Sequence, residues 1–198
     1  MTISLQSWMR VVWMSVTQPA EMAGKVLGMQ FPRDALWTAL ALVAVINVLL
    51  LGLLQFVLPQ TADTQDQIIT LSPFGYLAIF GAFLTFMIFM LVHAGRMMGG
   101  EGTVEGTLTL LVWFQAVSLT LEAMQVLLVL VSSAVAALFG LISLGALIWI
   151  FVNLVNVLHG FANIGKAIVV IFMALIGTVL GTGLVMGMLG IAPPGAGL

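Results

Sequence analysis

Residues 106–165 carry a single charged side chain, that of Glu122. About 20 apolar residues cross the hydrocarbon core of a bilayer as one helix, so this stretch predicts two crossings joined by a very short turn. We expect the turn at residues 132–133, with Gly140 as the alternative. Backbone groups in lipid must bond to one another, which favours membrane-spanning helices throughout the stretch.

Similar apolar runs occupy most of the chain. Of its 198 residues, 62% are hydrophobic and 6% are charged, whereas about a quarter of a soluble domain is charged. The sequence therefore predicts an all-α polytopic membrane protein, a bundle of five transmembrane helices. The predicted spans are 35–58, 74–98, 106–131, 134–159 and 167–191. Residues 59–73 form a polar loop, and residues 192–198 form a short tail.

The first 34 residues precede the spans and are amphipathic. Gln6, Arg10 and Thr17 lie on one helical face. The opposite, apolar face holds Leu5, Trp8, Met9, Val12 and Val16. This pattern predicts a helix in the membrane interface that leads into the bundle. A regulatory or partner-docking arm is the alternative interpretation.

The basic residues predict the orientation. In a five-span topology, residues 1–34 and the turns at 96–106 and 159–166 share one side of the membrane, and all five Lys and Arg residues fall there. Cytoplasmic segments are enriched in Lys and Arg. We therefore expect a cytoplasmic N-terminus and an outside C-terminus, in the inner membrane of a bacterium.

Composition also limits the chemistry. There is no cysteine and the net charge is −2, so thiolate metal sites and a nucleic-acid footprint are excluded. The two histidines, His93 and His159, are expected near the cytoplasmic ends of their spans. They could approach each other there, but a metal would need a third ligand, so interfacial hydrogen bonding is the favoured interpretation. No catalytic residue, metal or cofactor is predicted.

Two turns resemble those of a known family. The turn after the second span reads GRMMGGEGTVEGTLTLL (95–111), and the turn before the fifth span reads HGFANIGKA (159–167). In order and placement they resemble the Yip family, the Yip/Yif domain proteins, over roughly residues 19–190. The matching positions are Arg96, Gly99, Gly100, Gly102, Thr103, His159, Gly165, Lys166 and Ala167.

This resemblance implies a compact five-helix bundle with a cytosolic N-terminus. Eukaryotic members interact with Rab-type GTPases and carry a long cytosolic arm that serves partner binding. The segment before the first span is short here, so the chain resembles the compact five-span bacterial members.

The glycines of the first turn have two interpretations. Gly99, Gly100 and Gly102 could cradle a phosphate at the start of the next helix, but the neighbouring Glu101 and Glu105 would repel an anion. A structural turn is therefore favoured. Arg96 is expected to form a local ion pair with one of these carboxylates, worth little in energy.

Four glycines on the fifth span form two GxxxG pairs: Gly177, Gly181, Gly183 and Gly187. Glycine lets helices approach closely in lipid, and at about 100° per residue the two pairs lie on neighbouring faces. We expect packing against two neighbours in the bundle, or against one neighbour and a second copy of the protein.

A polar stripe runs along the third span. It comprises Gln115, Ser118, Glu122 and Gln125, at three- and four-residue spacing. Its candidate partners are Asn47, Asn153 and Asn156. A carboxylate within a span faces the bundle interior or a wet cavity, so the stripe is either a buried hydrogen-bond cluster or a proton- or ion-coupled pathway. The buried cluster is favoured.

These observations predict a non-enzymatic integral membrane protein, with a membrane-organising role or a role as a scaffold or accessory subunit of a larger membrane complex. The alternative is a small transporter or permeation pathway that uses Glu122. The expected partners are the lipid bilayer and either other membrane proteins or further copies of the chain.

Overall fold

The computed structural model describes residues 4–57 and 72–188, with side chains described outside residues 54–57. Seven helices occur in these ranges. They are α1 (Leu5–Thr17), α2 (Pro19–Leu27), α3 (Arg33–Val57), α4 (Pro73–Met97), α5 (Val104–Val131), α6 (Ser133–His159) and α7 (Ile164–Met188). Most of the predicted 59–73 loop and the 192–198 tail lie outside the described residues.

Helices α3 to α7 are each long and apolar enough to cross a membrane. The predicted all-α fold with five candidate spans is therefore confirmed. The break between α5 and α6 is the single residue Ser132, which has extended backbone angles. Gly140 lies inside α6.

Hydroxyl side chains begin three of the spans. Ser72, Thr103 and Ser132 each accept a hydrogen bond from the backbone N–H three residues later, at 3.1, 3.1 and 3.4 Å. Such caps satisfy one of the N–H groups that the first turn of a helix leaves without a helical partner. They explain why α4, α5 and α6 start where they do.

The spans run alternately up and down. The α4–α5 turn and the α6–α7 turn lie together, because the Glu101 N–H donates to the carbonyl of His159 at 3.3 Å. We call this the glycine-turn end of the bundle, and the end that holds Ser132 the opposite end. Among the spans, α4 and α7 form the most extensive pair.

Helices α1 and α2 pack against α5 and α6, where Val12, Met22 and Val26 join one apolar cluster. The indole N–H of Trp8 donates to Thr120 Oγ1 at 3.0 Å, and its ring meets Trp113 edge-on at 5.9 Å. Thr120 lies about 24 Å from the start of α5, at 1.5 Å per residue. The α1–α2 pair therefore covers α5 from the glycine-turn end to just past its middle.

Candidate functional site

His159, the last residue of α6, is buried at the glycine-turn end with 2% of its surface exposed. Its side chain lies against Gly95 of α4 and against Gly100 and Gly102 of the following turn. A Cβ atom at Gly100 would lie 2.7 Å from that side chain, and one at Gly95 or Gly102 would lie closer still. These approaches are possible only for glycine, which has no Cβ.

Hydrogen bonds fix the imidazole in this position. The Gly102 N–H donates to His159 Nδ1 at 3.2 Å, so Nδ1 is the acceptor nitrogen of a neutral ring and the proton lies on Nε2. Nε2 is buried and has no hydrogen bond of good geometry. The backbone of Leu91 also interacts with the ring.

The α6–α7 turn covers the outer face of the same ring. Phe161 stacks on His159 with a centroid distance of 5.2 Å, and Lys166 Nζ lies 5.9 Å from the Phe161 centroid. Gly160 ends α6 with a φ of +65°, and the Asn163 N–H donates to Asn156 Oδ1 at 3.0 Å. We call the residues around the ring the histidine pocket: Gly95, Gly100, Gly102, His159 and Phe161.

The glycine turn has no free amides to offer an anion. Every backbone N–H from residue 99 to residue 102 has a protein acceptor: the carbonyls of Arg96, Gly95 and His159, and His159 Nδ1. Gly99 supplies the positive φ of +82° that the turn requires. These contacts favour the structural interpretation of the turn over a phosphate cradle.

The ion pair expected for Arg96 is not formed. Arg96, Glu101 and Glu105 are all exposed, and among the described residues the ion pair present is Glu21–Lys25 at 2.6 Å. An exposed pair gains little energy. The backbone of Glu101 is held by His159 instead, so the position of this turn does not depend on charge.

The histidines occupy different environments. His93 is exposed on α4 while His159 is buried, and within the described residues no group of three His, Cys, Asp or Glu side chains could hold a metal. Gly165 and Thr103 lie at the edges of the two turns, where Thr103 caps α5 and Gly165 contacts the Asn163 side chain.

The two GxxxG pairs of α7 differ. A Cβ at Gly177 would lie 2.6 Å from Met90 Sδ, and one at Gly181 would lie 2.8 Å from the Phe86 ring, so both glycines pack on α4. Gly183 and Gly187 have nothing within 4 Å of the corresponding positions. The first pair belongs to the bundle, and the second faces away from it.

Two residues of the polar stripe bond to each other on α5, but two of the predicted asparagine partners bond elsewhere. Ser118 Oγ donates to Glu122 Oε1 at 2.8 Å, and Gln115 is buried nearby on the same helix. Asn153 donates to the carbonyl of Trp149. Asn156 accepts a hydrogen bond from the Asn163 N–H in the α6–α7 turn. Neither asparagine therefore hydrogen-bonds to Glu122.

A cavity of about 340 Å³ lies beside Glu122, between α3, α4 and α5. We call it the Glu122 cavity. Its polar lining comes from Asn47, Tyr76, Glu122 and Gln125, and apolar side chains complete the wall: Val48, Leu50, Leu51, Phe80 and Val126. Of the three asparagines considered as partners of Glu122, Asn47 is the one that lines the same cavity.

Sequence reasoning missed Gly95 and Phe161 in the histidine pocket and the aromatic residues of the cavity. Gly95 could have been identified from its place in the last turn of an apolar helix, because a glycine inside a helix often marks a point where another part of the chain packs closely. Nothing in the local sequence indicated the cavity, because its lining comes from three separate helices.

Comparison with known proteins gives one family. The family model described as the Yip1 domain matches residues 13–187, a range that includes both turns of the histidine pocket and all five spans. No curated protein and no solved structure gives a significant match.

Proposed function

The chain belongs to the Yip1 domain family, and from this premise we propose that it is a non-enzymatic integral membrane protein that organises the bilayer around it. The observation that carries the proposal is the position of α1 and α2, which pack on α5 and α6 from the glycine-turn end and do not reach the opposite end. Among the described residues, α1 and α2 add to the five spans beside the glycine-turn end, and the five spans alone continue to the opposite end. A protein wider in one leaflet than in the other acts as a wedge.

The outer surface of this wedge suits a membrane interface. Arg10, Glu21 and Lys25 are exposed, while Trp13 remains 67% exposed. Charged groups with a tryptophan at headgroup level are typical of interfacial helices. The wedge would therefore spread headgroups and upper acyl chains of a single leaflet.

The charge distribution assigns this leaflet to the cytoplasmic side in our proposal. All five basic residues lie in the N-terminal segment or in the two turns of the glycine-turn end, and such segments stay in the cytoplasm. The proposed location is the inner membrane of a bacterium, with the N-terminus inside. The bilayer would then bend so that its cytoplasmic surface is convex.

Reporter fusions test this orientation. We expect a reporter inserted in the 99–102 turn, or in the 160–163 turn, to show cytoplasmic activity. A reporter fused after residue 198 should show activity outside. A cytoplasmic C-terminus would contradict the five-span topology and would move the wedge to the other leaflet.

Reconstitution into liposomes tests the wedge. Wild-type protein is expected to narrow or tubulate vesicles at a density that leaves a lipid-only control spherical, as seen by electron microscopy. Trp8→Ala removes the hydrogen bond and ring contact that hold α1 against α5, so bending should fall. Trp149→Ala is the matched control, because Trp149 is 48% exposed on α6 outside the α1–α2 contact.

The same vesicles separate this function from transport. The second candidate function is a permeation pathway through the Glu122 cavity. Such a pathway would give a pH-dependent proton flux that is lost in Glu122→Gln while the stability of the protein is unchanged. Such a flux from vesicles that do not bend would replace our proposal. Bending without flux is the expected result.

An accessory role in a larger membrane complex would extend the same proposal. Gly183 and Gly187 leave an open strip on α7, and small residues let a neighbouring helix approach closely in lipid. This strip is where we expect another membrane protein or a second copy to make contact.

A further inference from the structure

The polar side of the Glu122 cavity, which we call its floor, consists of Asn47, Glu122 and Gln125. Ser118 donates to one carboxylate oxygen of Glu122, Oε1, and no other hydrogen bond to this carboxylate occurs among the described residues. Asn47 donates one of its two amide N–H groups to the carbonyl of Val43 at 3.0 Å, and its Oδ1 can accept a hydrogen bond. The floor therefore offers carboxylate and carbonyl oxygens to a ligand that donates.

The chain supplies no cation to this floor. Arg33 begins α3, Arg96 lies in the last turn of α4 and Lys166 lies in the first turn of α7, all at the glycine-turn end. The other two basic residues, Arg10 and Lys25, lie on α1 and α2, which do not line the cavity. Residues 58–71 lie outside the described part of the chain, and their charged residues are Asp63 and Asp66. Any positive charge beside Glu122 would therefore come from a bound molecule, and such a partner would offset the cost of a carboxylate within a span.

The cavity lies in the half of the bundle that includes the opposite end. Tyr76 lies about 5 Å from the start of α4, and Glu122 lies about 14 Å from the end of α5, at 1.5 Å per residue. Between them, the walls are aliphatic and aromatic, formed by Val48, Leu51 and Phe80. A ligand that fills it needs a polar head and an apolar chain, and the volume falls in the range of small-molecule sites.

We propose that the Glu122 cavity binds a lipid whose headgroup carries a primary ammonium group. An ammonium has three N–H donors and no acceptor, which complements the oxygens of Glu122 and Asn47. The acyl chain lies along the apolar wall between α3 and α5. This site is independent of the bilayer-bending role and would persist if that role were disproved.

Native mass spectrometry of the full-length protein in mild detergent tests the proposal. Phosphatidylethanolamine is titrated against phosphatidylcholine with the same acyl chains, because the choline head has the same charge but no N–H donor. We expect phosphatidylethanolamine to bind at least about tenfold more tightly, since hydrogen bonds to a charged group are among the stronger ones. Equal binding of the two lipids would overturn the proposal.

Variants locate the bound lipid. Glu122→Gln retains an acceptor for Ser118 and so keeps the fold, but it should lower the affinity for phosphatidylethanolamine to that for phosphatidylcholine. Glu105→Gln is the control, because it makes the same change on an exposed residue at the other end of α5. Unchanged lipid preference in Glu122→Gln would refute the site.

Two further experiments test the apolar wall and the need for an acyl chain. Val48→Phe narrows the apolar wall without touching the carboxylate, and we expect it to weaken lipid binding even if Glu122→Gln proves unstable. Phosphoethanolamine, which has the head but no chain, should bind far more weakly than the lipid. Equal affinity for phosphoethanolamine would show a soluble amine site and would contradict a lipid site.

Discussion

Replacing Gly95 with alanine is expected to lower the melting temperature of the purified protein by about 10 °C. The added Cβ would overlap the His159 ring, and the ring cannot retreat because Gly100, Gly102 and Phe161 enclose it. Overpacking costs about 1–3 kcal/mol and sometimes more, and each kcal/mol moves the melting temperature of a domain of this size by about 2–4 °C. Fluorescence-monitored unfolding in mild detergent measures the change.

Gly81→Ala is the control on the same helix. A Cβ at Gly81 would meet nothing within 4 Å, and alanine favours helix over glycine by up to about 1 kcal/mol, so stability should be unchanged or slightly higher. A melting temperature equally lowered in both variants would mean that helix α4 is sensitive to any substitution and that the histidine pocket is not the cause.

A double substitution identifies the partner of Gly95. His159→Ala alone is destabilising because it opens a cavity and leaves the Gly102 N–H without its acceptor. In the double variant Gly95→Ala/His159→Ala the new methyl group has room. The loss of stability in the double variant should therefore be smaller than the sum of the losses in the two single variants. Strict additivity would show that the two residues are not coupled.

Gly181→Leu is expected to have a still larger effect, with loss of most of the folded monomer on size-exclusion chromatography. At this position, α7 lies so close to α4 that even a Cβ would come within 2.8 Å of the Phe86 ring. A leucine there must push the two helices apart along the most extensive interface between spans. Gly177→Leu should be milder, because the flexible side chain of Met90 can move aside.

Gly183→Leu is the matched control for this prediction. It lies two residues along the same helix and places the same side chain in open space. We expect folded monomer at the wild-type level. Equal tolerance of Gly181→Leu and Gly183→Leu would remove the close-packing interpretation, whereas loss of a dimer in Gly183→Leu alone would place a second copy on that face.

The spans were predictable because lipid allows few alternatives. A run of apolar residues beyond about 18 must form a helix across the membrane, and Ser72, Thr103 and Ser132 are residue types that favour helix starts. The burial of His159 was not predictable in this way. Its acceptor role depends on Gly102, 57 residues earlier, and a histidine at the end of a span is equally compatible with an exposed position.

The failed pairing of Glu122 with Asn153 has a geometric reason. Helices α5 and α6 form a hairpin about Ser132, so residues equally far from Ser132 lie at the same depth, as the contact between Gln125 and Gly140 illustrates. Glu122 is ten residues from the break, and Asn153 is twenty-one. Asn47 comes from a different helix, and the helix-to-helix arrangement that brings it to Glu122 is not encoded in any local pattern.

The histidine pocket also sets an order of events during synthesis. The glycine turn leaves the ribosome well before His159, yet two of its N–H groups, those of Glu101 and Gly102, take their acceptors from that residue. Until α6 has been translated and has crossed the bilayer, the α4–α5 hairpin must leave these groups to water or lipid headgroups. The turn can therefore close only when the fourth span is in place, so a later part of the chain completes the structure of an earlier part.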